Sequence, residues 1–248
     1  MAKTLNETPL NKIALLIDGD NAQPALIDKI LAESGKYGTV TIRRIYGDWT
    51  KPSMTSWKNT LNINAIQPIQ QFRYTTGKNA TDSAMIIDTM DILHGDLVDG
   101  FCLVSSDSDY TRLATRIREE GYFVLGIGKE MTPKPFVKAC NIFIYTENIV
   151  PRGTLTKEKT ASKKKDERRE RIDPLPLLKG AFDMAVQEDS WANLATIGFY
   201  LRQLDPGFDP RTYGFKQLNQ LLRKYSGQFE LRFNDEDGRT VLYVRAKD

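Results

Sequence analysis

The sequence predicts an α/β protein, a parallel sheet flanked by helices, followed by a small winged helix-turn-helix domain. Three observations lead there. Ile13-Ala14-Leu15-Leu16-Ile17 is an unbroken apolar run that stops at Asp18-Gly19-Asp20-Asn21, and Phe101-Cys102-Leu103-Val104 repeats the pattern before Ser105-Ser106-Asp107-Ser108-Asp109. Short apolar runs bounded by turn residues suit strands buried on both faces, as in the middle of a parallel sheet. Such runs alternate with segments of helical periodicity, the signature of βαβ units. Beyond residue 172 the pattern changes to three helical stripes and a hairpin.

Each element has its own signal. After the first strand, Leu26, Ile27, Ile30 and Leu31 recur at helical spacing, with Pro24 suited to the first turn and Gly35 as the stop. Thr39 to Tyr46 is rich in β-formers. Trp57 and Leu61 mark a short helix, and Ala65 to Ile69 a weaker third strand. Phe72 to Ala80 is polar and reads as a loop. Thr81 opens a strong helix through Leu93, with Thr81 or Asp82 placed to accept hydrogen bonds from its first amides. Asp88 and Asp91 on this helix read as a solvated face, and His94 as a helix-end interaction. Gly100 to Ser105 is the fourth strand, Tyr110 to Glu120 a helix stopped by Gly121, and Tyr122 to Ile127 the fifth strand. Phe136 to Ala139 and Ile142 to Tyr145 read as a short helix and a last strand.

Residues 1–150 hold 16 Lys and Arg against 17 Asp and Glu, residues 151–172 hold 9 against 4, and residues 173–248 hold 10 against 11. The positive surplus of +3 therefore comes from one short, apolar-poor stretch containing Lys163-Lys164-Lys165 and Arg168-Arg169. Such a stretch cannot bury enough surface to order itself. It reads as a basic linker, 151–172, between domains at 1–150 and 173–248. In the second domain Leu175 to Ala185 forms one stripe, Ser190 is placed to cap a helix carrying Leu194, Ile197 and Leu201, and Phe215, Leu218, Leu221 and Leu222 stripe a third. Phe229 to Tyr243 alternates about a turn at Asp235 to Gly238, which is a hairpin.

Composition narrows the chemistry. One histidine, His94, leaves no material for a histidine-based triad or a multi-histidine metal site. Cys102 and Cys140 offer neither a disulfide framework nor zinc spacing, and read as core residues of a reducing, cytoplasmic protein. No run reaches the roughly 20 apolar residues of a membrane helix.

What remains is oxygen. Asp18, Asp20, Asp82, Asp107 and Asp109 all fall at the carboxyl edge of the expected sheet, with Asn21, Ser105 and Ser106 as neutral neighbours. Ligands bind in that crevice in open α/β sheets. Carboxylates crowded at low dielectric repel, and a divalent cation relieves the repulsion. Oxygen ligands without His or Cys suit Mg²⁺ or Mn²⁺, and the matching chemistry is phosphodiester hydrolysis. Asp20 and Asp109 are equally placed to cap the helices that follow them.

Three stretches then resemble the NYN domain of the PIN-like nuclease superfamily: Leu16 to Asn21, Gly77-Lys78-Asn79-Ala80-Thr81-Asp82, and Val104 to Tyr110. The resemblance implies a three-layer domain and a metal-dependent ribonuclease, with Asp18, Asp82, Asp107 and Asp109 as metal-binding acids and Asn21 as the polar residue beside the first. Residues 173–248 look like an OST-HTH, or LOTUS, domain, on Trp191 to Leu194, Gly198 to Leu201 and Asp209 to Leu218. That resemblance implies an RNA or protein partner. Arg73, Lys78, Lys163, Lys164, Lys165, Arg211 and Lys216 are the cations placed to touch nucleic acid, while Tyr213 and Phe215 also fit a core. Two other readings compete. One is a non-catalytic RNA-binding adaptor. The other is a phosphatase, since Asp18-Gly19-Asp20 is similar to the paired aspartates of haloacid-dehalogenase-like enzymes.

Overall fold

The computed structural model describes residues 10–72, 80–150, 173–236 and 239–247. They fall into two compact units, one within residues 1–150 and one within 151–248. In the first, β1 (Leu10–Asp18) leads to α1 (Ile27–Ser34), β2 (Gly38–Gly47), α2 (Lys58–Ile63), β3 (Gln67–Gln70), α3 (Ala80–His94) and β4 (Gly100–Val104). The unit closes with α4 (Thr111–Glu119), β5 (Phe123–Gly128), α5 (Lys134–Ala139), β6 (Ile142–Tyr145) and α6 (Thr146–Ile149). The six strands form one sheet in the order β3-β2-β1-β4-β5-β6, every neighbouring pair parallel. The order reverses between β1 and β4, so the crevice that opens at that switch point lies between the two acid-bearing strand ends.

Burial explains why the apolar runs are unbroken. Ala14 and Leu16 of β1, with Phe101 and Leu103 of β4, face one core packed under α3, α4 and α5 through Met85, Ile92, Leu113, Ile117 and Phe136. Ile13, Leu15 and Ile17, with Cys102 and Val104, face the other, packed against Ile27, Ile30, Trp57 and Leu61. Helices on both faces leave each central strand no polar side. Each large side chain so enclosed contributes roughly 1.5–3 kcal/mol. Gly121 ends α4 with φ +84, a left-handed position that glycine adopts without penalty.

Several expectations need correction in this unit. The short α6 follows β6 directly, and the sequence reading ends at that strand. Asp88 does not lie on a solvated face: its carboxylate accepts hydrogen bonds from Tyr46 Oη and Arg44 Nη1. β2 thereby ties α3 to the sheet. Helical spacing alone placed Asp88 beside the exposed Asp91 and could not reveal the partner on β2. His94 does close the helix end, Nδ1 donating to the Met90 carbonyl at 2.7 Å. Both cysteines are buried, and burial pushes the Cys102 thiol up to about 12.

The second unit runs α7 (Leu175–Ala185), β7 (Ala192–Asn193), α8 (Leu194–Leu204), α9 (Leu218–Lys224), β8 (Phe229–Glu236) and β9 (Arg239–Ala246). The hairpin is joined by β7 into a three-stranded sheet, order β7-β9-β8. This moves the expected cap. Ser190 sits at φ +66, and Asn193 caps α8 instead, its Oδ1 accepting the Ala195 amide at 2.8 Å. Residues 192 and 193 pair with β9 before the helix begins, so its start slips three residues. The third helix likewise starts at Leu218, after Gly214 at φ +90 breaks the chain. Phe215 and Tyr213 pack on the core from outside it.

Candidate functional site

The carboxyl edge of the sheet gathers the expected acids unevenly. Asp82, Asp107 and Asp109 each offer a carboxylate oxygen, and these lie within 4.8 Å of one another. Asp82 comes from the first turn of α3, Asp107 and Asp109 from the loop after β4. Asp18 stands behind them. It is 1% exposed, its Oδ2 accepts from Asn21 Nδ2 at 2.6 Å and Ser105 Oγ at 2.8 Å, and its Oδ1 accepts the Asp20 amide at 3.1 Å. Ser105 couples the two strand ends, because its Oγ also accepts the Asp107 amide at 3.1 Å.

The same local device serves both acid pairs. Asp107 Oδ1 accepts the Asp109 amide at 3.0 Å, as Asp18 does with Asp20. The first acid of each pair therefore caps its own turn. A side chain reaches the amide two residues ahead of it most easily. Asp20 is exposed, with Lys51 Nζ 3.9 Å from its Oδ1. Gly19 between them has no room for a side chain: a Cβ would stand 2.7 Å from the Tyr46 carbonyl and 2.8 Å from Met54 Cε. Thr81 caps nothing among the described residues; its hydroxyl is buried without a partner.

Electrostatics record the crowding. Burial, and then the charges of Asp18, Asp107 and Asp109, hold the Asp82 carboxyl above the usual carboxylate range. Asp18 is also raised, mainly by burial, against the lowering effect of Asn21 and Ser105. The buried Tyr110 hydroxyl donates to Asp82 Oδ1 at 2.8 Å, and burial beside these acids pushes its own pKa up. The sequence reading places Tyr110 only at a helix start. Nothing in the periodicity marks it as the support of an acid 28 residues earlier. Three oxygens within reach of one centre, all from carboxylates and one of them disfavoured as an anion, fit a hard divalent cation.

The expected nucleic-acid contacts divide differently. Arg73, Lys78, Lys163, Lys164 and Lys165 lie outside the described residues. Arg211 is held by Asp209, its Nε and Nη2 both donating to that carboxylate. Lys216 is exposed. No helix among the described residues is long and apolar enough to cross a membrane.

Comparison with known proteins agrees with this architecture. The NYN domain matches residues 12–147, and the OST-HTH/LOTUS domain matches residues 171–241. An uncharacterized protein of Methanocaldococcus jannaschii is 27% identical over 160 residues, 63% of this chain and 62% of that protein. The chain thus spans less than two thirds of that relative. A Vibrio parahaemolyticus crystal structure of unknown function aligns with TM-score 0.46 and 18% identity over 58% of this chain and 94% of its own. A solution structure of an uncharacterized Nitrosomonas europaea protein is 33% identical over 31% of this chain and 75% of its own, with TM-score 0.28. Asp18-Gly19-Asp20 therefore opens an NYN domain, not a haloacid-dehalogenase-like one. The chain belongs to the NYN domain family and carries an OST-HTH/LOTUS domain after it.

Proposed function

We propose that the protein is a metal-dependent ribonuclease that hydrolyses RNA phosphodiester bonds. The observation that carries the reading is the meeting of Asp82, Asp107 and Asp109 within 4.8 Å at the sheet's switch point. These three would hold Mg²⁺ or Mn²⁺. A cation there supplies Lewis-acid stabilisation of phosphate charge and lowers the pKa of a bound water. The chain's own residues supply the rest. Tyr110 fixes the orientation of Asp82. Ser105 and Asn21 hold Asp18 at the floor of the basin, where its charge adds to the field that attracts a cation. Asp109 is the exposed member of the three. The OST-HTH/LOTUS domain supports recruitment of RNA or of a protein partner.

The test is Mn²⁺-dependent cleavage of single-stranded RNA by the parent protein and by Asp107→Asn. Cleavage by the parent and its loss in the variant are expected. Equal activity in both, with unchanged melting, removes the site. Calorimetric titration of Mn²⁺ separates the ribonuclease from a non-catalytic adaptor, which has no saturable metal site in this basin.

A further inference from the structure

A small cleft opens at the carboxyl edge of the sheet, next to the acidic basin but with walls of its own. Asn21, Gln23, Ser105, Ser106, Lys129 and Thr146 line it, and apolar residues of α1, β4 and β5 complete it. Among the described residues no acid lines it, and Lys129 is its one cation. Lys129 is part-buried, and its ammonium makes no ion pair among the described residues. The loop that carries it is braced. Its amide donates to Ser106 Oγ at 2.8 Å, and its carbonyl accepts from the buried Thr132 Oγ1 at 2.6 Å. The next amide, that of Glu130, donates to Glu147 Oε2 at 2.9 Å. Donors outnumber acceptors in this cleft. Ser106 Oγ accepts from Lys129, so its own hydrogen is still to be given. The Gln23 side chain is exposed and makes no hydrogen bond among the described residues. Two carboxylates touch the cleft's residues, and both are engaged: Asp18 accepts from Asn21 and Ser105, Glu147 from Thr146 Oγ1 as well as Glu130.

We propose that this cleft is a phosphate subsite, in which Lys129, Ser106 and Gln23 hold the phosphate next to the one being cleaved. A lone cation with hydroxyl and amide donors, and no open carboxylate, suits an anion. Size narrows the choice. The cleft offers about 20 Å³ to the centres of water-sized groups, room for one or two of them. It admits the oxygens of a small anion and not a base, so the subsite responds to charge and not to sequence. Position selects phosphate among small anions. Asn21 and Ser105 line the cleft and also hold Asp18, and Ser106 directly precedes Asp107 of the basin. A strand with one phosphate on a cation between Asp82, Asp107 and Asp109 therefore brings its neighbour to this cleft. Bracing through Ser106, Thr132 and Glu147 fixes the loop before any ligand arrives, so less freedom is lost on binding. That the phosphate belongs to RNA rests on the ribonuclease reading; the anion site itself does not.

The test has two arms. In the first, inorganic phosphate is titrated into the full-length protein in EDTA and followed by phosphorus NMR, so that neither metal nor cleavage is involved. The parent is expected to bind saturably. Lys129→Gln is expected to weaken binding about tenfold or more, the weight of one hydrogen bond to a charged group, and Lys129→Arg to retain it. Gln23→Glu, which sets a charge at the exposed mouth, is expected to weaken it as well. In the second arm, Mn²⁺-dependent cleavage of single-stranded RNA is measured over a range of salt. Lys129→Gln is expected to raise KM about tenfold while kcat changes less than about twofold, the mark of lost uniform binding. Its salt slope should flatten by roughly 0.7, one phosphate contact on a single strand, with Mn²⁺ affinity as in the parent. Phosphate binding that is absent from the parent, or unaltered in Lys129→Gln with melting as in the parent, overturns the proposal. So does a fall in kcat at unchanged KM, which would place Lys129 in the chemical step. Phosphate binding that depends on Lys129 in a parent that cleaves no RNA upholds the anion site and removes the ribonuclease reading instead.

Discussion

Replacing Ser105 by alanine removes one oxygen and with it the link between the two acid-bearing strand ends. Ser105 is 2% exposed, so water does not readily replace what is lost. Its hydroxyl donates to Asp18 Oδ2 at 2.8 Å and accepts the Asp107 amide at 3.1 Å. A hydrogen bond to a carboxylate contributes about 1.5–3 kcal/mol, and a buried amide left unpaired costs about 1–3 kcal/mol. The Asp107 amide is only part-buried, which puts its share at the low end, and roughly 3 kcal/mol in total is expected. For a chain of this size each kcal/mol lowers Tm by roughly 2–4 °C, so Ser105→Ala should melt roughly 6–12 °C below the parent. Differential scanning calorimetry in EDTA measures this. Calorimetric Mn²⁺ titration at a temperature where both proteins are folded should show weakened affinity, because the Asp107 loop has lost its anchor on Asp18. A drop of less than about 2 °C with unchanged Mn²⁺ affinity would refute the reasoning, and would mean that the two loops hold their geometry independently.

Tyr110→Phe keeps the ring in its contact with Phe136 but deletes the donor to Asp82; Mn²⁺ affinity is expected to fall roughly 10-fold or more, in line with lost outer-shell support elsewhere, while Tm changes little. Gly128→Ala places a Cβ 2.4 Å from the Ser105 carbonyl, which is backbone and cannot swing aside; a loss of about 1–3 kcal/mol is expected by urea denaturation. Asp18 and Asp82 sit above their ordinary value of 3.8 in the folded protein, so the native state keeps protons that the unfolded chain releases. The contribution of these two carboxyls to metal-free stability is therefore fullest below that ordinary value and declines as pH rises through their raised native pKa values. Mn²⁺ favours the charged carboxylates and should reverse the trend, which urea midpoints from about pH 4 to about pH 7, with and without the ion, would reveal.

The acids of this site were legible because chain order and strand direction suffice to find them. A residue that ends a buried parallel strand must lie at the carboxyl edge, so Asp18 and Asp107 follow from two apolar runs. Asp82 follows from opening a helix at the same edge. What each carboxylate does there was not legible. Asp18 and Asp107 each cap their own turn, which periodicity does not reveal, because turn geometry is decided over two residues. The start of α8 moved from the residue after Ser190 to Leu194 because a two-residue strand pairs with β9, a contact made with a partner about 50 residues away.

By itself, then, the amino-acid sequence determined which segments are buried, in what alternation, and that oxygen-bearing side chains collect where two central strands end. Those properties depend on each residue's hydrophobicity and its spacing along the chain. Tertiary structure alone decided that Asp82, Asp107 and Asp109 approach within 4.8 Å while Asp18 is engaged by Asn21 and Ser105. It alone set Asp88 against Arg44 and Tyr46, and Arg232 over Trp191. The reason is physical: periodicity reports which face of an element is covered, but the identity of the covering residue depends on strand order and register, which are set by the packing of the whole sheet.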